Sequence, residues 1–191
     1  PRQPSSQWKV KIPLVVCSYS IHNSADNSTR YKVKTSLNVY TTQKFYDPTG
    51  VYVGGAKSKE KSLSKGTSIV FDENNTVACI IVGEKYQPSS CYILPSPMKK
   101  EEYSTKAFQA IKDECSVLKV IVEDSWMKLV DLNYSPIVQI RATKSNHLHP
   151  YFKAETFHNE YFSEPISDLI AMAMISLDKK LEKVPTVIVV Q

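Results

Sequence analysis

The sequence predicts a mainly β protein of α+β composition, in which a closed antiparallel β-barrel surrounds one apolar helix near the C-terminus. Two observations lead to this prediction. Many short β-branched runs are separated by turn signals, and one helical stretch has no polar face. The chain has 191 residues, which suits a single domain spanning 1–191 with a sizeable core. Tyrosine is common, with 11 residues, and glycine is scarce, with 5, a balance that favours strands.

Runs of strand length cover much of the first 142 residues. Within 31–40, apolar Val33, Leu37 and Val39 alternate with polar residues, which is the period of a strand with one buried face. Further β-branched runs predict strands at 67–72, 77–83, 116–124, 125–131 and 135–142. A polar, aromatic connection follows at 144–165, with a strand expected at 151–157, and 185–191 predicts a last strand.

Three segments share one local pattern, in which an apolar pair leads into an Asp, a short polar turn and a second strand. These segments are 45–53, 70–82 and 129–140. Their aspartates suit the start of tight turns, where a carboxylate accepts nearby backbone N–H groups; they are Asp47, Asp72 and Asp131. Turn formation accounts for them better than catalysis does. Repeated hairpins predict a largely antiparallel sheet, and closure would remove its two edges.

The segment at about 165–182 predicts the helix. Ser163 suits its N-cap and Pro165 its first turn, while lysines cluster near its C-terminal end. Between 169 and 177 the apolar residues cover every side of the cylinder. A membrane span would need about 20 apolar residues, so this run is too short to cross a bilayer. Because the chain offers almost no partner helices, a surrounding sheet is the arrangement that buries every face.

Two further regions depart from the strand pattern. Residues 1–8 are polar and contain proline, which predicts a loose N-terminal arm. Residues 95–114 form a charged insertion, and its second half, from Thr105 to Lys112, predicts a short helix.

Composition indicates the compartment and the sign of the partner's charge. The four cysteines are far apart and form no Cys-x-x-Cys pair, which predicts reduced thiols. No apolar stretch of signal-peptide length lies near the start, so we expect a cytoplasmic protein. The net charge of +5 suits an anionic partner such as a phospholipid surface.

Two sequence features point to a known family. The segment PISDLIAMAMISLDKKL (165–181) combines a Pro, an Ala-rich run that is apolar all round, an Asp and a terminal Lys-Leu. The segment VYVGGAKSKEKSLSKGTSIVFD (51–72) places a pair of small residues ahead of a basic run. Together with the Asp-turn hairpins, they resemble the tubby C-terminal-like superfamily, which includes tubby domains, phospholipid scramblases and plant LURP-one-related proteins. The resemblance implies a barrel of about twelve strands around the helix and a protein that is not an enzyme.

The same resemblance implies a site for an anionic headgroup. Tubby domains bind phosphatidylinositol bisphosphate through basic residues at alternate positions, and the matching residues here are Lys57, Lys59 and Lys61, with Lys65 close by. Alternate spacing puts such side chains on one face of a strand. We therefore expect an anionic phospholipid as partner and peripheral contact at the inner membrane surface, without a transmembrane span.

Two alternatives stay open. Flexible Met172 and Met174 could line an irregular cavity beside the helix, so the barrel could carry a small apolar or aromatic molecule such as a lipid, an indole or a pigment. A weaker candidate is a metal-dependent enzyme that uses His147, His149 and His158.

Other functional classes lack the residues that they need. The sequence contains no phosphate-cradling Gly loop and no Gly-x-Ser-x-Gly, so neither a cofactor nor a catalytic triad is predicted. Nucleic-acid binding is not expected, because the arginines number three: Arg2, Arg30 and Arg141.

Overall fold

A computed structural model of the chain shows a closed barrel of twelve antiparallel strands, as the sequence predicts. It describes residues 2–13, 18–37, 41–62, 65–85, 87–143 and 151–177. The strands are β1 (Ser6–Lys11), β2 (Tyr19–Asn23), β3 (Thr29–Leu37), β4 (Thr41–Tyr46), β5 (Tyr52–Ser62), β6 (Lys65–Asp72), β7 (Val77–Glu84), β8 (Gln87–Ile93), β9 (Ser116–Glu123), β10 (Trp126–Val130), β11 (Pro136–Thr143) and β12 (Tyr151–Thr156). The helices are α1 (Thr105–Ile111), which a 3-10 turn at Lys112–Glu114 follows, and α2 (Glu164–Leu177).

The topology is an up-and-down meander that closes on itself. Each strand pairs with the strand that follows it, and β1 pairs with β12 to complete the ring. In the closing pair Trp8 lies opposite Ala154, and Lys9 lies opposite Lys153. Closure pairs every one of these strands on both sides, which satisfies backbone groups that an open sheet would leave at its edges.

The three Asp turns share one geometry, which confirms the predicted turn chemistry. In each turn the Asp Oδ1 accepts the backbone N–H groups of the residues two and four positions later, at 2.8–2.9 Å. The residue three positions after each Asp adopts a positive φ; these residues are Gly50 at 95°, Asn75 at 56° and Tyr134 at 60°. Each carboxylate therefore stabilises a hairpin between two neighbouring strands.

The middle of helix α2 is buried on all sides. From Leu169 to Met174 every residue is 0% exposed. The helix packs mainly against β5 to β8 and against β11 and β12, which are two separate parts of the ring. Its side chains share one core cluster with strand residues such as Phe45 and Leu129. These contacts favour the predicted placement of the helix within the barrel. The lysines predicted at its C-terminal end and the strand predicted at 185–191 lie outside the described residues.

A buried polar cluster connects the first turns of α2 to the barrel. The Asp168 carboxylate accepts hydrogen bonds from Trp8 Nε1 at 2.7 Å, Tyr31 Oη at 2.8 Å and Arg30 Nε at 2.9 Å. Arg30 also forms an ion pair with Glu164, which is more exposed. Burial raises the pKa of Asp168 above its ordinary value, while the Arg30 guanidinium and the other donors oppose that rise. The cluster ties α2 to β1 and β3.

The N-terminus differs from its prediction. The predicted loose arm at 1–8 is wrong from Ser6 onward, because β1 begins there and Trp8 is 0% exposed. Trp8 and Val10 alternate with polar residues over a stretch too short to stand out beside the polar, Pro-containing residues that precede it. Strands β2 and β8 were not predicted either. The first has five residues, and the second contains Pro88 and two serines.

Candidate functional site

An open cleft lies on the outer face of the barrel, between strands β5, β6 and β7 and helix α1. Its volume is about 380 Å³, within the range of about 300–1,000 Å³ that is usual for small-molecule sites. Thr67, Ile69 and Val82 line it from the strands, and Phe108 and Gln109 line it from α1. Polar and apolar side chains therefore meet in one concave surface.

Two of the predicted headgroup lysines line this cleft. Lys57 and Lys59 are partly buried on β5, and their alternate spacing places both on one face of the strand, which is the outer face of the barrel. Ala56, which lies beside Lys57 in the sequence, faces the core and is 2% exposed. Lys112 lines the cleft from the 3-10 turn after α1, and Glu84 lines it from the end of β7. Three lysines and one glutamate are thus among the described lining residues of the cleft.

The other two predicted lysines are placed by their backbone alone. Lys61 belongs to β5 and Lys65 begins β6, close to the end of the hairpin that joins the two strands. Their side chains lie outside what the structure describes. The described part of the basic site therefore consists of Lys57, Lys59 and Lys112.

A second hydrophobic cluster, on the outer face of the sheet, holds α1 beside the strands. Its buried members are Ile69, Phe71, Val77, Ile80 and Phe108. The Phe108 ring packs edge-on against the Tyr92 ring, with centroids 5.3 Å apart, and Lys112 Nζ lies 5.3 Å from the centroid of the same Tyr92 ring. At the start of the helix, Ser104 Oγ accepts the Ala107 N–H at 3.0 Å as an N-cap. Packing of the insertion therefore fixes one side of the cleft and the position of Lys112.

Lys112 is a site residue that the sequence analysis missed. The sequence predicted a helix from Thr105 to Lys112, and in the structure α1 ends at Ile111 and Lys112 begins the 3-10 turn. Phe108 and Lys112 are four residues apart, a spacing that places both on one face of a helical stretch. This spacing is visible in the sequence. It does not tell which strands the helical face covers, so only the tertiary structure shows that Lys112 and Lys57 line the same cleft.

The residues of the alternative hypotheses lie elsewhere. Met172 and Met174 are 0% exposed and belong to the core cluster, and the apolar-carrier hypothesis stays a prediction. His158 is exposed on the surface, whereas His147 and His149 lie outside the described residues. Within the part of the chain that the structure describes, no three His, Cys, Asp or Glu side chains are arranged to hold a metal ion.

Comparison with models of protein families, with curated proteins and with solved structures found no match. The resemblance to tubby-like proteins therefore stays a prediction from the sequence features given above. No helix among the described residues combines the length and the apolar character that a membrane crossing requires. Fold and site together define a closed antiparallel β-barrel with a lysine-lined cleft on its outer face.

Proposed function

We propose that this protein is a non-enzymatic binding module that recognises an anionic phospholipid headgroup in the outer cleft, at the cytoplasmic surface of a membrane. The observation that supports the proposal is the placement of Lys57, Lys59 and Lys112 around one cleft. The first two were predicted from the basic run of β5. The third comes from a different part of the chain and adds a positive charge from the other side.

The lining suits a phosphate ester better than a simple anion. Hydrogen bonds between charged partners contribute about 1.5–3 kcal/mol each, so two or three lysines are sufficient for measurable phosphate binding. Thr67, Thr105 and Gln109 also line the cleft and can hydrogen-bond to the hydroxyl groups of an inositol ring. Ile69 and Phe108 offer an apolar surface to the carbon skeleton of the headgroup.

Vesicle sedimentation tests this function. Vesicles of phosphatidylcholine, with and without phosphatidylinositol bisphosphate, are mixed with the parent protein and with the double variant Lys57→Gln/Lys59→Gln. We expect the variant to bind the phosphoinositide vesicles at least about tenfold more weakly, because it loses two charged hydrogen bonds.

The matched control is Lys106→Gln/Lys119→Gln, which lowers the net charge equally but changes exposed lysines outside the cleft. We expect this control to bind like the parent. Unchanged binding by the Lys57→Gln/Lys59→Gln variant, or an equal loss in both variants, would contradict a specific site in the cleft.

A further inference from the structure

A row of basic side chains crosses the outer face of the barrel on the four strands around the closing pair. His22 of β2 lies opposite Lys9 of β1, and Lys9 lies opposite Lys153 of β12. Lys153 in turn lies opposite Arg141 of β11. We call these four residues the basic row. They come from sequence positions as far apart as 9 and 153, and closure of the barrel brings them together.

The basic row faces outward. In β1 the neighbours of Lys9 are Trp8 and Val10, which are 0% and 1% exposed. The neighbours of Lys153 in β12 are equally buried, at 2% or less. Because successive residues of a strand point to opposite sides of the sheet, Lys9 and Lys153 and the residues paired with them lie on the outer surface.

The basic row carries an electrostatic cost. Side chains directly opposite each other on antiparallel strands are about 4.5–5.5 Å apart at Cβ, and like charges at that distance destabilise the sheet. Lys153 has such a neighbour on both sides, in Lys9 and in Arg141. None of the described ion pairs includes a residue of the basic row. Glu155 is the one carboxylate in these four strands, and its two oxygens accept hydrogen bonds from glutamine side chains on β1 and β11.

Two buried atoms at the ends of the basic row lack hydrogen-bond partners. They are His22 Nδ1 and Arg141 Nε, neither of which has a partner among the described residues. Buried polar atoms of native proteins usually have a partner in the protein, a water molecule or a bound ion. The Arg141 guanidinium carbon lies 4.5 Å from the centroid of the Trp126 ring, which belongs to β10, on the opposite side of β11 from Lys153.

We propose that the basic row binds a doubly charged phosphate group, at a site separate from the outer cleft. Strand spacing places the backbones of Lys9 and Arg141 on the order of 10 Å apart, with Lys153 between them. A rotation of the Arg141 side chain away from Trp126 lets the three long side chains converge on one phosphate. A dianion would offset the repulsion along the row and provide acceptors for its donors. Arg141 adds a planar guanidinium that can bind two phosphate oxygens at once. The ligand class is a phosphate monoester or free phosphate, either as a soluble compound or on a lipid headgroup.

The His22 ring provides a local probe for this site. Its resonances are assigned by comparing the spectra of the parent and of His22→Gln, and the parent is then titrated with inorganic phosphate against sodium chloride at matched ionic strength. We expect a saturable shift of the His22 signals with phosphate and none with chloride. The double variant Lys153→Gln/Arg141→Gln should need at least about tenfold more phosphate for the same shift.

Stability and charge controls separate binding from other effects. The row variant relieves like-charge repulsion but loses the contact between Arg141 and Trp126, so its unfolding temperature should lie close to that of the parent. The Lys106→Gln/Lys119→Gln variant should keep the parent's response to phosphate. If phosphate causes no shift beyond that of chloride, or if the row variant responds like the parent, the proposal is wrong.

A vesicle arm identifies the source of the phosphate. Phosphatidylcholine vesicles that contain phosphatidylinositol 4-phosphate present a lipid-borne monoester. If the row variant sediments less with them than the parent does, the ligand is a headgroup; if it sediments equally while inorganic phosphate still shifts His22, the ligand is a soluble compound. The Lys57→Gln/Lys59→Gln variant should keep the His22 response to phosphate. The proposals for the cleft and for the basic row can therefore fail independently of each other.

Discussion

Replacement of Asp168 by asparagine should strongly destabilise the protein. The carboxylate is 1% exposed and accepts hydrogen bonds from three side chains, those of Trp8, Arg30 and Tyr31. An asparagine keeps the shape but offers those donors a single oxygen and an N–H₂ group. The Arg30 cation, whose side chain is 16% exposed, would then lose the negative charge that neutralises it.

The size of the effect follows from burial. Removal of one partner of a buried ion pair costs about 3–5 kcal/mol, since the remaining charge stays buried and uncompensated. Arg30 also contacts Glu164, but that carboxylate is 47% exposed, and exposed ion pairs contribute about 0–1 kcal/mol. Tyr31→Phe removes one hydroxyl donor. Its loss of stability should lie between those of Glu164→Gln and Asp168→Asn, at about 1–3 kcal/mol. Glu164→Gln, Tyr31→Phe and Asp168→Asn therefore form a graded series around one cluster.

Urea denaturation followed by tryptophan fluorescence measures the free energy of unfolding of each variant. Trp8 lies in the cluster and reports on it directly. Two results would contradict the inference that burial sets the strength of the Arg30–Asp168 ion pair. One is a loss of stability in Glu164→Gln as large as that in Asp168→Asn; the other is a stability of Asp168→Asn within about 1 kcal/mol of the parent.

Two further predictions concern the fold. Gly54 has φ of 138°, and a Cβ there would lie 2.4 Å from the Phe71 carbonyl oxygen and 2.9 Å from a Leu169 methyl group, so Gly54→Ala should cost more than about 3 kcal/mol by urea denaturation. The matched control is Gly50→Ala, because Gly50 has a φ of 95° but open space around it, and we expect it to lower stability by about 1 kcal/mol. An equal cost at both positions would refute the steric argument. Burial, more than any other cause, raises the pKa of Tyr31 above its ordinary value near 10. The folded state therefore favours the neutral phenol of Tyr31. This preference contributes fully to the free energy of unfolding below about pH 10, and the contribution is lost as the pH rises further. Stability should fall less steeply above pH 10 in Tyr31→Phe than in the parent, and parallel curves would contradict this reasoning.

Local chemistry made much of the fold predictable. The turns at Asp47, Asp72 and Asp131 depend on contacts within five residues, and the sequence identified all three. The segment from Leu169 to Met174 is apolar on every side, which predicted complete burial before any partner was known. Lys57 and Lys59 alternate on one strand, so their shared face was predictable as well.

Other features depend on contacts between distant segments. Ser6 to Trp8 were predicted to belong to a loose arm, yet Trp8 lies on the inner face of β1, where Asp168, 160 residues later, accepts its indole N–H. Arg30 lies beside Asp168, 138 residues later in the chain. Lys112 lies in the cleft because Phe108 packs on the outer face of β6 and β7. None of these partners is marked in the sequence around the residue concerned.

The sequence by itself determined the class of the protein: an antiparallel barrel with Asp turns, an apolar helix that must be enclosed, and a pair of lysines on one face of a strand. The tertiary structure decided which charges share a surface. Lys112 joins Lys57 and Lys59 through packing of the insertion, and Lys9 meets Lys153 through closure of the barrel. The physical reason is that hydrophobic periodicity records which side of an element is buried, whereas register and packing between distant segments decide what lies beside it.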